Sequence, residues 1–127
     1  MNKKSISYEF ATHHVEKWVK GWTDHNLNAI MSSYAEELEF SSPKIRAILG
    51  ENKNNTISSK RELSTYFSAG LERFPNLKFK ILDFTVSINK VILEYSANLD
   101  GKSIVNVFEK ELVKKSGAYY GVEQSTD

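Results

Sequence analysis

The chain has 127 residues, the length of one domain with a substantial buried core. Its 17 basic and 16 acidic residues give a net charge of +1, so neither nucleic acid nor an anionic membrane is an expected partner. Cysteine is absent, which excludes disulfides, thiolate nucleophiles and cysteine metal ligands, and the N-terminus lacks the apolar run of a signal peptide. We therefore expect a cytoplasmic protein.

Helical spacing dominates the first part of the chain. Apolar residues between Phe10 and Trp22 recur at steps of three and four, which predicts a helix over residues 7–23. A shorter helix is predicted to begin at Leu27 and to carry Tyr34 on its apolar stripe.

The middle of the chain combines a short strand, an ambiguous segment and a clear helix. Residues 39–42 have the pattern of a strand, and the proline that follows ends it. Residues 45–49 fit a short strand, and a polar loop comes after them. Ser59 and Glu62 then form a capping box, and helical spacing continues until Pro75.

After this helix the apolar period changes to two, which is typical of strands. The parity of the alternation switches between Ile81 and Leu82, and such a switch predicts a β-bulge. Asp100-Gly101 is a strong two-residue hairpin signal. The further strands are predicted over residues 91–99, 102–113 and 119–123.

A two-residue turn at Asp100-Gly101 would decide which side chains share a face. It places Tyr95 opposite Asn106, and Leu93 opposite Phe108, on the more apolar and therefore inner face. The Tyr95–Asn106 pair is then either an anchor for a ligand or a satisfied buried pair that fixes the register. The other face, with Val105, Val107 and Glu109, is more apolar than a solvated surface needs, which suggests that a second copy covers it.

Three stretches of the sequence carry a family resemblance: WVKGWTDHNLNAIMSSYAEELEFSSP (18–43), the run from Gly50 through Ile57 to Tyr66-Phe67, and NVFEKEL (106–112). Over about residues 8–124 the chain resembles the nuclear transport factor 2-like superfamily, in its SnoaL-like and ketosteroid-isomerase-like branch. The resemblance implies one α+β domain over residues 1–127, with a cone-shaped, curved antiparallel sheet wrapped around the N-terminal helices. It also implies a deep apolar pocket and a homodimer formed through the outer sheet face.

The resemblance places the family's isomerase residues on positions that cannot perform the reaction. The general base corresponds to Ser42, the helix tyrosine to Trp18 and the strand acid to Asn106. A serine hydroxyl is not a useful base without a neighbouring base, an indole cannot exchange a proton in catalysis, and an amide is not an acid. We therefore do not expect the steroid-isomerase reaction.

These observations predict a protein that binds a small hydrophobic molecule, with unassigned activity and no metal or other cofactor. The alternative is an isomerase, cyclase or hydratase-like enzyme acting on a small apolar or polyketide-like substrate. An enzyme requires a titratable group at the ligand, for which His14 is the candidate that the sequence offers; Trp18 and Trp22 either line the pocket or fill the core. The candidate ligand-binding residues are Trp18, Trp22, Phe40, Ser42, Tyr66, Tyr95, Asn106, Phe108 and His14.

Overall fold

The structure is a computed structural model, and it describes residues 8–50, 55–86, 90–99, 104–114 and 118–126. The described residues form four helices and six strands. The helices are α1 (Tyr8–Thr23), α2 (Leu27–Met31), α3 (Ile45–Leu49) and α4 (Lys60–Arg73). The strands are β1 (Tyr34–Ser41), β2 (Thr56–Ser59), β3 (Lys78–Val86), β4 (Lys90–Asn98), β5 (Ile104–Val113) and β6 (Tyr119–Thr126).

The six strands form one curved sheet in the order β2-β1-β6-β5-β4-β3, and this sheet does not close into a barrel. Neighbouring strands are antiparallel except β1 and β6, which run parallel. The α1 helix packs on the inner face through aromatic rings, with the Trp18 centroid 5.3 Å from that of Phe79 and 4.8 Å from that of Tyr95. The predicted α+β cone is confirmed, with one parallel pair in a sheet that was expected to be antiparallel.

Local signals at the ends of α4 are confirmed. The Ser59 hydroxyl accepts a hydrogen bond from the Glu62 backbone N–H at 3.1 Å, which caps the first turn as the capping box predicts. Phe74 leaves the helical region with φ −124° and ψ 74°, because a residue that precedes proline is crowded out of the α conformation.

The segments around α2 and α3 differ from the predictions. The α2 helix ends at Met31, so Tyr34 begins β1 instead of lying on a helix. Residues 45–49 form the helix α3 and not a strand, because Ile45, Ile48 and Leu49 are spaced by three and one, which places them on one helical face. Strand β2 was not predicted at all.

The predicted bulge in β3 is confirmed. Ile81 pairs with Tyr95 and Asp83 with Glu94, which leaves Leu82 as the extra residue. Leu82 is 47% exposed on the outside, whereas Phe84 returns to the partly buried inner side.

The predicted pairing of β4 with β5 is wrong by one residue. Tyr95 pairs with Val107, and the last described pair joins Asn98 to Ile104, so the connection is longer than two residues. Asp100-Gly101 itself lies outside the described residues. Because side chains alternate along a strand, a shift by one residue exchanges the two faces of β5. Asn106 and Phe108 therefore lie on the outer face, and Val107, Glu109 and Glu111 lie inside.

Candidate functional site

A cavity of about 80 Å³ lies between α1, α4 and the inner face of the sheet. On a scale where one water needs about 10–15 Å³, this is room for several waters or one small ring. The cavity is bordered by the charged side chains of Lys44 and Glu109 and by the amide of Gln124. The apolar and aromatic lining residues include Trp18, Trp22, Tyr34, Ile48, Tyr66, Phe67, Phe74, Leu77, Phe79, Tyr95, Ala97, Leu99 and Val107.

The deep end of the cavity holds a hydrogen-bonded carboxylate. Glu109 is 1% exposed, and its Oε1 accepts hydrogen bonds from the Tyr95 hydroxyl at 3.1 Å and from Gln124 Nε2 at 2.6 Å. Gln124 Nε2 also donates to the Tyr95 hydroxyl oxygen at 3.1 Å. Three strands thus contribute one side chain each to this group, since Tyr95 belongs to β4, Glu109 to β5 and Gln124 to β6.

A second carboxyl group, Glu111, lies beside the first on the same face of β5, and we call the two residues the carboxyl pair. Glu111 is fully buried, and its oxygens make no hydrogen bond of full geometry within the described residues. Burial, followed by the charge of Glu109, raises the pKa of the Glu111 carboxyl well above its usual range. Glu111 therefore holds its proton at pH values where an exposed glutamate has lost it.

Two buried tyrosines near the carboxyl pair are neutral hydrogen-bond donors. Burial, followed by the charge of Glu109, raises the pKa of both Tyr34 and Tyr95 well above its usual range. Their hydroxyl groups therefore remain protonated and can donate, but they are not available as bases.

Two buried indole N–H groups belong to residues that line the cavity, Trp18 and Trp22. Trp18 Nε1 and Trp22 Nε1 are buried and make no hydrogen bond of full geometry within the described residues, although the Trp18 indole lies near the Tyr34 hydroxyl. Buried donors in native proteins are usually paired, so the Trp22 N–H, which has no partner among the described residues, favours an acceptor supplied from outside.

The structure brings four of the predicted site residues to the cavity: Trp18, Trp22, Tyr66 and Tyr95. Phe40 and Ser42 lie behind it. Phe40 is fully buried against the rings of Tyr66 and Phe67, and the Ser42 hydroxyl accepts the Lys44 backbone N–H at 3.2 Å.

The remaining three predicted residues lie elsewhere. Asn106 is exposed and Phe108 is 39% exposed on the outer face, so the prediction that they face the pocket is wrong, and Tyr95 pairs through its hydroxyl with Glu109 instead of Asn106. His14 is half-buried with its ring 4.8 Å from that of Tyr119, and it does not border the cavity. Burial, then Lys17 and His13, lower the pKa of His14.

Sequence reasoning missed Lys44, Glu109, Glu111 and Gln124. The signal for the carboxyl pair was present, since Val107, Glu109, Glu111 and Val113 alternate along β5. The assumption of a two-residue turn at Asp100-Gly101 placed this set of side chains on the outer face. Two carboxylates on that face were consistent with exposure to solvent.

The family model of the SnoaL-like domain matches residues 15–113. The chain belongs to the SnoaL-like domain family. A SnoaL-like protein of unknown function from Burkholderia thailandensis has a similar structure, with 22% identity, a TM-score of 0.86, and coverage of 97% of this chain and 98% of that one. A search of curated proteins finds no match.

Two further structures share the fold of this SnoaL-like chain at low identity. TerC co-crystallised with polyporic acid is 10% identical, with a TM-score of 0.75 and coverage of 91% and 90% of the two chains. A candidate polyketide cyclase from Sinorhizobium meliloti is 12% identical, with a TM-score of 0.70 and coverage of 87% and 92%.

Two kinds of feature are absent from the part of the chain that the structure describes. No group of three or more histidine, aspartate or glutamate side chains is arranged to hold a metal ion. None of the described helices is long and apolar enough to cross a membrane.

Proposed function

We propose that this SnoaL-like protein binds a small, mostly apolar molecule in the cavity, with the polar group of that molecule directed at Glu109. The observation that carries the proposal is an apolar, aromatic cavity that ends on a buried, hydrogen-bonded carboxylate. Most ligand pockets combine apolar walls with a few convergent polar groups in this way. The Trp22 indole N–H, which has no partner among the described residues, is the donor that we propose for a carbonyl oxygen of the ligand.

A second candidate function is proton transfer on such a ligand, and it is favoured by the position of Glu109. An enzyme needs a titratable group at the cavity, and Glu109 supplies it where the sequence had offered only His14. In the proposed step the Glu109 carboxylate takes a proton from the carbon next to a ligand carbonyl, the resulting carboxyl exchanges this proton with water, and a proton from Glu109 then returns to the enolate. The Trp22 indole N–H could stabilise the enolate oxygen. The similar folds of a candidate polyketide cyclase and of TerC support a small organic substrate.

The first prediction concerns Glu109→Gln, assayed with 4-hydroxyphenylacetone, a one-ring ketone. Both tryptophans of the chain border the cavity, so quenching of tryptophan fluorescence reports binding there. A hydrogen bond to a charged group contributes about 1.5–3 kcal/mol, so we expect Glu109→Gln to weaken binding by about tenfold or more. For proton transfer, incorporation of deuterium from heavy water into the probe, followed by NMR, should slow by about a hundredfold or more.

Asn106→Leu is the matched control, because Asn106 lies on the same strand but on the outer face. It should leave both readouts unchanged. Failure of the parent protein to bind the probe would contradict the proposed site. Binding with deuterium incorporation no faster than in buffer would contradict the second candidate and leave the first standing.

We also propose that two copies of the chain associate through the outer face of the sheet. Among the residues that the structure describes, three large apolar side chains are exposed: Leu82 at 47%, Ile92 at 40% and Phe108 at 39%. The same face carries charges of both signs, with Lys110 Nζ 3.8 Å from Glu123 Oε1 of the same chain, and such a face can be complementary to a second copy of itself.

Light scattering should give twice the mass of one chain, and Phe108→Glu should reduce it to the mass of one chain, because the change replaces one of the exposed apolar side chains by a carboxylate. Thr65→Glu on the exposed side of α4 is the control and should remain dimeric. A parent protein that is monomeric at high micromolar concentration would refute the association.

A further inference from the structure

The cavity has a lysine on its helical wall, Lys44 beside α3, whereas Glu109 lies on the sheet wall. Lys44 borders the cavity together with Ile48, Gly70 and Phe74, and all four are half-buried, whereas Tyr34, Tyr95 and Glu109 are buried. Lys44 therefore lies on a more exposed side of the cavity, which we take as its entrance, and Glu109 lies on a fully buried side, which we call the deep end.

Backbone hydrogen bonds hold Lys44 at the start of α3. Its N–H donates to the Ser42 hydroxyl at 3.2 Å, and its carbonyl accepts the Ile48 N–H at 3.1 Å. The side chain of Lys44 therefore extends from a fixed backbone position at the cavity wall. Binding of a ligand has to order only the flexible stem of this side chain.

The ammonium group of Lys44 is partly buried without a compensating carboxylate in the described residues. The ion pairs there join Lys20 to Asp24, Lys60 to Glu36 and Lys110 to Glu123. Burial lowers the pKa of Lys44, whereas a neighbouring carboxylate would raise it. A partly desolvated cation at the entrance of an apolar cavity is suited to an organic anion.

The two ends of the cavity differ in sign, and this fixes the orientation of a ligand that carries charge. A ligand carboxylate at the deep end would meet Glu109 and be repelled, whereas at the entrance it would meet Lys44. The deep end instead suits a neutral hydroxyl that donates to Glu109. The volume of about 80 Å³ limits the buried body of the ligand to about one ring.

We propose that the ligand of this cavity is a small one-ring carboxylic acid, with its carboxylate paired to Lys44 and a hydroxyl group directed at Glu109. This proposal rests on the proposed binding function and adds the chemical class of the ligand. Lys44 is the residue that selects for the acid.

The test compares 3-(4-hydroxyphenyl)propionic acid with its neutral amide, by tryptophan fluorescence and calorimetry at low salt. The acid should bind the parent protein about tenfold or more tightly than the amide, because truncating one partner of a desolvated charge pair has effects of at least this size. Lys44→Met keeps the apolar stem and should cancel this preference by weakening the acid alone. Lys44→Arg keeps the charge and should retain part of the preference.

Lys80→Met is the matched control, since Lys80 is exposed on β3, and it should leave both affinities unchanged. If the parent binds acid and amide equally, or if Lys44→Met keeps the preference, Lys44 is not the anion anchor, and the proposed binding function still stands. If neither compound binds, this inference fails, and the proposed function fails with it only if 4-hydroxyphenylacetone does not bind either. If Lys44→Met does not fold, equal affinity of the parent for acid and amide still refutes the inference, and so does a Lys44→Arg variant that loses the preference completely.

Discussion

Glu111→Gln is expected to stabilise the protein at pH 8 and to remove most of the pH dependence of its unfolding free energy above pH 5. Burial, followed by the charge of Glu109, raises the pKa of Glu111 in the folded protein, whereas in the unfolded chain it is ordinary. Between these two pKa values the folded state binds a proton that the unfolded state does not. The stability contributed by Glu111 is therefore present below about pH 4.5 and is lost as the pH rises.

The size of the effect follows from linkage. Each pH unit in that interval lowers the unfolding free energy by up to about 1.4 kcal/mol. Glutamine has the shape of protonated glutamate and can donate to Glu109, but it has no proton to lose. Urea unfolding of parent and variant at several values between pH 5 and pH 8 should give curves that diverge as the pH rises.

Glu39→Gln is the control for this experiment, because Glu39 is an exposed glutamate on β1 of the same sheet. It should leave the slope of stability against pH as in the parent. A Glu111→Gln variant with the same slope as the parent would show that Glu111 titrates as an exposed carboxyl. The raised pKa that we assign to Glu111 in the carboxyl pair would then be wrong.

Phe40→Ala is expected to destabilise the protein by about 3–5 kcal/mol, which is a large share of the stability of a domain of this size. Phe40 is fully buried, with its ring centroid 5.8 Å from that of Tyr66 and 5.4 Å from that of Phe67. Removing the ring leaves a void that the surrounding sheet and helix cannot fill completely. Urea unfolding measures the loss.

Phe40→Leu and Phe74→Leu separate the core from the cavity lining. Phe40→Leu should reduce stability but keep binding of 4-hydroxyphenylacetone in the molecules that fold. Phe74 is half-buried at the cavity, so Phe74→Leu should reduce binding more than stability. If Phe40→Leu abolished binding at unchanged stability, Phe40 would be a ligand contact, as the sequence had suggested.

Features that depend on neighbouring residues were predictable. The capping box at Ser59 and Glu62, the end of α4 before Pro75 and the bulge at Leu82 each follow from the conformations that a few adjacent residues allow. The family pattern likewise predicted the α+β cone, and the aromatic spacing of α1 brought Trp18 and Trp22 to the inner side.

The short segments were harder because their patterns are ambiguous. Residues 45–49 contain too few residues to separate a helical period from a strand period, and the outcome decides where Lys44 lies. If this segment had been a strand, the sequence would not have indicated whether Lys44 lies near the cavity. As the residue before α3, Lys44 borders the cavity.

The chain's own sequence determined the fold, the cap of α4, the bulge and the aromatic nature of the interior, because these depend on local conformational preference and on apolar content. Only the tertiary structure decided which face of β5 is buried. That choice depends on the length of one connection, and a difference of one residue moves every side chain of the strand to the other face. Because of this difference, Glu109 and Glu111 face the interior and Asn106 does not. Two carboxyl groups, instead of one amide, therefore lie in the interior beside the cavity.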